Sequence, residues 1–161
     1  MRTIVGFCGG KWGEPGVGKT TAAGFLVERG FHLVSFSTPI EKIARTQCGW
    51  DGDRGKPGKD ILDGVCRSGR QVTEDYWLNL AIKLIPKDAE TLVFDDVYFL
   101  NEYHFIKSQG GFIVEILRPP VPKADLLFDP DGVVFNKGDL SNFQEAITLT
   151  LKGLGVALAG S

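Results

Sequence analysis

The 161-residue sequence lacks the features that would mark several classes of protein. It has no excess of basic residues, since 18 Lys and Arg stand against 20 Asp and Glu and the formal net charge is −2. A general nucleic-acid-binding surface carries such an excess, so we expect no nucleic-acid polymer as a partner. No apolar run approaches the length that spans a bilayer, and residues 1–3 lead directly into a predicted strand. We therefore expect neither a membrane segment nor a signal peptide.

Cysteine and histidine are also scarce. The three cysteines, Cys8, Cys48 and Cys66, are odd in number and do not have the spacing of metal ligands. This usage is typical of a reducing compartment, so we expect a cytoplasmic protein. The two histidines, His32 and His104, stand alone in the sequence, which is more typical of surface groups than of catalysts.

What the sequence does contain is a phosphate-binding motif. The letters G-E-P-G-V-G-K-T occupy residues 13–20 and follow the apolar run Thr3–Cys8. Glycines let backbone N–H groups turn inward around phosphate oxygens, and the following helix points its positive end at the same anion. Lys19 is expected to reach the β- and γ-phosphates, and the Thr20 hydroxyl to ligate Mg²⁺. The motif predicts that a nucleotide contacts Gly13, Gly16, Val17, Gly18, Lys19, Thr20 and Thr21, and by itself it is compatible with a GTPase, an ATPase motor or a kinase.

Short apolar runs alternate with helical patterns along the chain, which predicts βα units and a mostly parallel sheet. The predicted strands are Thr3–Cys8, His32–Phe36, Thr91–Phe94, Phe112–Leu117 and Gly132–Phe135. Helices are predicted from Lys19 to about Arg29, after Pro39, within Gly58–Ser68, within Glu74–Ile85, over Leu100–Gln109 and from Ser141 onward. We expect a three-layer α/β domain of the P-loop NTPase fold, with a five-stranded, mostly parallel sheet and helices on both faces.

Some local patterns lead to finer expectations. The apolar stripe of the fourth helix is predicted to be Trp77, Leu80, Ala81 and Leu84. The last helix is predicted to begin with the capping box Ser141-x-x-Gln144 and to bury Leu140, Phe143, Ile147 and Leu151. Residues 48–58 are rich in glycine and predict a mobile loop, and the three prolines of residues 118–123 exclude helix and central strand. Residues 153–161 are expected to form a loose tail.

Two carboxylates follow the predicted strand Thr91–Phe94. Asp95 and Asp96 stand where an acid approaches Mg²⁺ opposite a phosphate loop. We assign Asp95 to the metal together with Thr20, although the sequence leaves the choice between Asp95 and Asp96 open. Either acid alone could instead cap the helix that follows.

Phosphoryl transfer to a second substrate needs cations around the transferred group. Four of the seven arginines lie close together in the middle of the chain: Arg45, Arg54, Arg67 and Arg70. This segment is predicted to bind an anionic acceptor, although its interspersed acids also allow a solvated surface of mixed charge. Arg118, at the end of a predicted strand, is expected to reach over ATP.

Over Ile4 to about Leu149, the chain resembles the deoxynucleoside monophosphate kinases of bacteriophages and related prophage proteins. Besides the first strand and the phosphate loop, the segments that are similar to family patterns are residues 36–43 (F-A-x-P-I/L-K), 49–52 (W-D-G), 61–77 (L-L-Q-x-x-G-T-x-x-x-R…D-x-W), 96–102 (D-V-R-F-x-N-E), 110–119 and 135–140 (I-x-N-x-G-x-L). Their order and spacing carry the resemblance.

The resemblance implies Mg²⁺-dependent transfer of the γ-phosphate of ATP to a deoxynucleoside monophosphate, in the host cytoplasm if the protein is phage-encoded. It implies a kinase domain over residues 1–152, with an acceptor-binding insert at about 37–85 and a short lid at about 118–131. The implied acceptor-binding residues are Ser37, Ile40, Arg45, Arg67, Arg70, Trp77, Asp96, Tyr98 and Glu102. The implied catalytic residues are Lys19, Arg70, Asp96 and Arg118.

The chain departs from the family pattern in three ways. Tyr98 stands where the family usually has arginine, so Arg45, Arg67 or Arg118 would supply that cation. Extra residues lengthen the phosphate loop and leave Gly9 or Gly13 as its first glycine. The His-x-Ser-Glu stretch expected after Arg118-Pro119 is absent and the lid is short, so closure over ATP would be less complete.

Alternative functions remain open from the sequence. One is a kinase of another small acceptor, such as dephospho-coenzyme A or a nucleoside. Another is a non-catalytic module that binds ATP or a deoxynucleoside monophosphate without turnover. The short lid is compatible with a homodimer.

Overall fold

The computed structural model describes residues 2–11 and 16–159, so Gly13 and the extra loop residues 12–14 lie outside the described residues. The chain divides into two units. Unit 1 comprises the segments up to Val34 and from Lys87 onward, and unit 2 comprises Ser35–Pro86. Unit 2 is therefore inserted into the sequence of unit 1.

Unit 1 is built on a sheet of five strands, which are β1 (Thr3–Cys8), β2 (His32–Val34), β3 (Thr91–Phe94), β4 (Phe112–Leu117) and β5 (Gly132–Phe135). The strand order is β2-β3-β1-β4-β5, and every neighbouring pair is parallel. In such a sheet the carboxyl ends of all strands meet at one edge. The residues that follow β1, β3, β4 and β5 are thereby brought to the same edge.

Helices cover both faces of this sheet. On one face, Val5 and Phe7 of β1 share a buried core with side chains of α1 (Lys19–Val27) and α6 (Leu140–Gly153). On the other face lies α5 (Leu100–Ser108), whose Ile106 packs directly over Gly6. Alternate residues of a strand point to opposite faces, so β1 contributes to both layers. The predicted three-layer α/β fold with a parallel sheet is confirmed.

Unit 2 consists of three helices that pack against one another: α2 (Thr38–Gln47), α3 (Lys56–Val72) and α4 (Tyr76–Ile82). The contact between α3 and α4 depends on Gly69, because a Cβ added there would lie 2.4 Å from the indole ring of Trp77. The indole Nε1–H of Trp77 donates to the Cys66 carbonyl at 2.8 Å. A glycine on one helix thus makes room for a tryptophan on the next.

The connection between β4 and β5 is residues 118–131, of which residues 119–131 are named the strap. It contains a cis peptide bond between Pro119 and Pro120. The Phe128 ring stacks on Tyr103 of α5 with centroids 4.7 Å apart. Near the end of the strap, the Asp131 carboxylate accepts hydrogen bonds from the Lys107 ammonium and the Ile113 N–H, each at 2.7 Å. The segment predicted to be a lid is therefore anchored along α5 and β4.

Several sequence-based boundaries need correction. Strand β2 ends at Val34 rather than Phe36, because the chain turns there and the Thr38 N–H bonds the Ser35 carbonyl. Helix α3 is longer than predicted at both ends. The apolar stripe predicted for α4 is wrong at its last residue, because Leu84 is 58% exposed. Leu78, which was not part of the predicted stripe, is buried.

The predictions for the last helix also need correction. Its N-cap is Asp139, whose carboxylate accepts from the Asn142 N–H, so the Ser141 capping box is wrong. Leu140 is 56% exposed, and the other three predicted core residues are buried. The tail is not loose over its described part, because Val156 and Leu158 are buried in the core of unit 1. Residues 160 and 161 lie outside the described residues.

The glycine-rich segment 48–58 is more ordered than its composition suggests. The Trp50 ring is buried, and its Nε1–H donates to the Asp53 carbonyl at 2.6 Å. The Arg45 guanidinium lies over the same ring, 4.5 Å from its centroid. A buried aromatic ring therefore organises this turn, and α3 begins within it at Lys56.

Within residues 2–11 and 16–159, no helix combines the length and the apolar character that a membrane crossing requires.

Candidate functional site

The described part of the phosphate loop, Gly16–Thr20, leads into α1 at the carboxyl edge of the sheet. Gly18 is the N-cap residue and has a φ of +104°, in the left-handed region that favours glycine. The first backbone N–H groups of a helix have no partner within the helix and attract anions. Thr20 and Thr21 are exposed in this first turn. Their positions suit the phosphate contacts predicted for them.

Two side chains from neighbouring strand ends donate hydrogen bonds to carbonyl groups of this loop. The Arg118 Nη1 donates to the Gly16 carbonyl at 3.0 Å, and the Asn136 Nδ2 donates to the Val17 carbonyl at 2.9 Å. Arg118 directly follows β4, and Asn136 directly follows β5. Arg118, predicted to reach over ATP, is thus bonded to the loop itself.

The Lys19 side chain points back toward the end of β1. Its Nζ donates to the Gly9 carbonyl at 2.8 Å. Burial lowers the pKa of Lys19 below its usual value, and the negative charges of Asp96 and Asp95 oppose this change. A triphosphate in the loop would supply the charge that compensates for burial. Lys19 is therefore poised for an anionic ligand.

Asp95 and Asp96 follow β3, the neighbour of β1, and both are partly buried. The N-cap of α5 is Phe99, so the reading that either acid caps this helix is wrong. Glu102 performs that role instead, because its Oε2 accepts hydrogen bonds from the N–H groups of Tyr98 and Phe99, each at 2.8 Å. Both aspartates lie at the carboxyl edge of the sheet, and their charges influence Lys19.

A further acid lies in β4, opposite the last residue of β1. Glu115 of β4 is fully buried, and neither carboxylate oxygen has a hydrogen-bond partner within the described chain. The Lys123 ammonium of the strap lies 3.5 Å from Oε2. In the sheet, Glu115 is paired with Cys8, whose pKa is raised to about 12 by burial and by this carboxylate.

The residues implied for the acceptor in unit 2 differ in accessibility. Arg67 is exposed and Arg70 is partly buried, and their spacing of three places them on the same side of α3. The Arg70 Nη1 lies 3.5 Å from the Glu74 carbonyl. Ile40 and Trp77 are core residues of this unit, and Ser37 is partly buried just before α2. Direct contact of Ile40 and Trp77 with an acceptor stays a prediction.

Sequence reasoning did not find the roles of Asn136 and Glu115. Asn136 belongs to a turn similar to the family pattern, but nothing in the sequence showed that its amide bonds the phosphate loop. Glu115 lies within an apolar strand, and a charged residue in such a strand is the signal that could have drawn attention to it.

The parallel sheet, the phosphate-loop motif and the acids after β3 together define a P-loop protein. No protein-family model matches the chain. A protein of Acanthamoeba polyphaga mimivirus, named "Putative deoxynucleotide monophosphate kinase", is 30% identical over 156 residues, covering 76% of this chain and 77% of that protein. The chain belongs to the family of this viral protein.

Solved structures with a similar course of the chain include two kinases by name. One is the crystal structure of a "putative kinase" from Chloroflexus aurantiacus J-10-fl, with 11% identity and a TM-score of 0.49, covering 94% of this chain and 97% of that one. The other is the hexameric APS kinase from Thiobacillus denitrificans, with 12% identity and a TM-score of 0.45. The match covers 96% of this chain but only 29% of the APS kinase chain.

Proposed function

We propose that the protein transfers the γ-phosphoryl group of ATP to a deoxynucleoside monophosphate. The observation that carries the proposal is the position of Lys19, which lies at the end of a phosphate loop and is influenced electrostatically by Asp96 and Asp95. This combination of an ammonium group, backbone donors and nearby acids suits a nucleoside triphosphate with its metal ion. The name of the mimiviral relative and the family pattern support the choice of acceptor.

In this proposal, unit 1 binds ATP, and unit 2 supplies most of the acceptor-binding residues. The N–H groups at the start of α1 bind phosphate oxygens, and Lys19 leaves the Gly9 carbonyl to neutralise the transferred group. Because the acceptor phosphate is already ionised at neutral pH, a general base is not required. Catalysis then consists of positioning the two nucleotides and stabilising charge on the transferred phosphoryl oxygens.

The donor set of unit 1 fits Mg²⁺. The part of the chain described here contains no cluster of three or more His, Cys, Asp or Glu side chains that would form a complete protein cage. Nucleotide kinases do not need one, since Mg²⁺ keeps several waters and takes its remaining ligands from one or two protein oxygens and the substrate phosphates. The Thr20 hydroxyl and Asp95 or Asp96 would hold the ion, which would neutralise negative charge on the phosphates.

The acceptor phosphate is assigned to Arg70, supported by Arg67. An arginine binds phosphate with two parallel hydrogen bonds, which gives orientation as well as affinity. Two other cations of this segment lie in ion pairs, Arg54 with Glu41 and Lys56 with Asp60 at 2.7 Å. Because Tyr98 stands where the family usually has arginine, Arg45, Arg67 or Arg118 would supply that cation.

The test is formation of ADP from ATP and Mg²⁺ with dAMP, dGMP, dCMP and dTMP in parallel. Matched reactions contain the corresponding ribonucleotides, deoxynucleosides without phosphate, or dephospho-coenzyme A. We expect turnover with at least one deoxynucleoside monophosphate and none with the unphosphorylated nucleosides. The variant Lys19→Ala serves as the inactive control.

Turnover restricted to dephospho-coenzyme A or to nucleosides would contradict the proposed acceptor and leave a kinase of another small molecule. Binding of ATP without ADP formation from any acceptor would contradict kinase activity and favour a non-catalytic nucleotide-binding module.

A further inference from the structure

Asn136 is fixed at the carboxyl edge of the sheet by its own backbone. Its N–H donates to the Leu117 carbonyl at 2.7 Å, which extends the pairing of β4 and β5 by one residue. The next residues turn into α6, which is capped at Asp139. The Asn136 side chain therefore projects from a well-anchored position rather than from a long loop.

The amide of this side chain holds one particular peptide group of the phosphate loop. Its Nδ2 lies 2.9 Å from the Val17 carbonyl oxygen, across 119 residues of sequence. In a trans peptide group the C=O and the next N–H point in opposite directions. Because Asn136 holds the Val17 carbonyl, the N–H of Gly18 points away from the Asn136 amide.

The packing around Gly18 supports the same interpretation. A Cβ added to Gly18 would lie 2.6 Å from the Asn136 Nδ2 and 3.3 Å from the ring of Phe143 in α6. The Asn136 amide and the Phe143 ring thus lie directly against Gly18, the N-cap residue of α1. Any side chain at residue 18 would displace the donor that orients the Val17–Gly18 peptide group.

We propose that Asn136 is a positioning residue for ATP: it holds the phosphate loop in the orientation that presents the Gly18 N–H to the nucleotide phosphates. This inference rests on the proposed function in that it takes ATP to be the ligand of the loop. Asn136 acts through the backbone and is not assigned a contact with the reacting atoms.

The test compares ATP binding, measured by calorimetry with Mg²⁺ and without an acceptor, in the wild-type protein, Asn136→Leu and Asn136→Asp. Leucine has a similar size but no donor, and we expect about tenfold weaker ATP binding from the loss of one hydrogen bond to the loop. Aspartate is isosteric but only accepts hydrogen bonds when ionised, and its charge lies near the phosphates, so binding should weaken further. Asn142→Ala, in the first turn of α6, is the matched control and should bind ATP like the wild type.

Kinetics with a deoxynucleoside monophosphate separate positioning from general destabilisation. We expect the KM for ATP to rise in Asn136→Leu while the KM for the acceptor changes less than about twofold, since the lost bond lies in the phosphate loop. If leucine prevents folding, Asn136→Ser, whose hydroxyl is too short to reach the Val17 carbonyl, is expected to show the same loss of ATP affinity.

Wild-type ATP affinity in a folded Asn136→Leu or Asn136→Ser protein would overturn the assignment. So would an equal rise of both KM values. A wild-type protein that binds ATP but phosphorylates no deoxynucleoside monophosphate would overturn the proposed function instead, and the binding comparison would still decide the role of Asn136.

Discussion

The Lys19 ammonium nitrogen lies 2.8 Å from the Gly9 carbonyl oxygen, so the cation of the phosphate loop is hydrogen-bonded to the turn that follows β1. This hydrogen bond gives the partly buried ammonium group a partner. In the proposed function, a phosphate oxygen of ATP would take the place of that carbonyl, and the free energy gained would come from replacing a carbonyl dipole with a full negative charge.

The first prediction concerns the pH dependence of ATP binding. Burial places the pKa of Lys19 below its ordinary value of 10.5, and a bound triphosphate favours the charged ammonium and raises this pKa again. Binding is then coupled to proton uptake, so ATP affinity should fall as pH rises through the pKa of the nucleotide-free protein. Calorimetry from about pH 8 upward avoids titration of the phosphates themselves.

Lys19→Ala is the control for this prediction. It should bind ATP more weakly at neutral pH and show no fall in affinity over the same alkaline range. A wild-type affinity that is constant up to pH 10.5 would contradict the shifted pKa.

The second prediction uses two glycines of the same helix. Gly69→Ala places a methyl group against the Trp77 ring, whereas Gly64 of α3 has no atom within 4 Å of an added Cβ. We expect Gly69→Ala to lower the free energy of unfolding by about 1–3 kcal/mol through overpacking. Gly64→Ala should instead raise it by up to about 1 kcal/mol, since alanine has the higher helix propensity. Urea denaturation followed by tryptophan fluorescence measures both, and equal effects would contradict the packing described for α3 and α4.

The third prediction concerns the buried acid of β4. Lys123→Met removes the cation beside the fully buried Glu115. Breaking such a pair leaves an uncompensated charge, although the 66% exposure of the Lys123 side chain allows water to moderate the effect. We expect a loss of about 1–3 kcal/mol of unfolding free energy. The double variant Lys123→Met/Glu115→Gln should recover most of it, and strictly additive effects would show that the two groups are not coupled.

The fourth prediction tests the acceptor site. Arg70→Ala should raise the KM for the deoxynucleoside monophosphate by about tenfold or more, as expected for a lost charge-assisted contact with phosphate. The KM for ATP should change less than about twofold. Lys83→Ala, which removes an exposed cation from the end of α4, is the matched control. Equal losses for both nucleotides on removing Arg70 would contradict its role.

The sequence was most informative where the signal was local. All five strands were predicted. The signal was clearest for β1, β3 and β4, which are short apolar runs with clear boundaries. Helix α3 was underestimated because its three glycines lower its helix propensity, whereas packing against α2 and α4 supports it. The cap of α6 was assigned to Ser141 because a capping box is a local pattern, but Asp139, two residues earlier, supplies the acceptor.

For the candidate site, the sequence indicated Lys19, Thr20 and the acid pair after β3, since motif and strand end fix them. It did not indicate that Arg118 and Asn136 bond the phosphate loop. Those contacts depend on which strands are neighbours in the sheet, and local spacing carries no information on that order. Trp50 was likewise expected in a mobile loop, although burial and the Arg45 contact organise the turn.

The unequal accessibility of the three thiols has a practical consequence. Cys8 and Cys66 are buried, and a thiol with a pKa of about 12 hardly reacts at neutral pH, whereas Cys48 is exposed at the end of α2. A maleimide dye should therefore attach at one position of the natural sequence. That label would sit in unit 2, next to the turn organised by Trp50, and would report on ligands of this unit without an engineered cysteine.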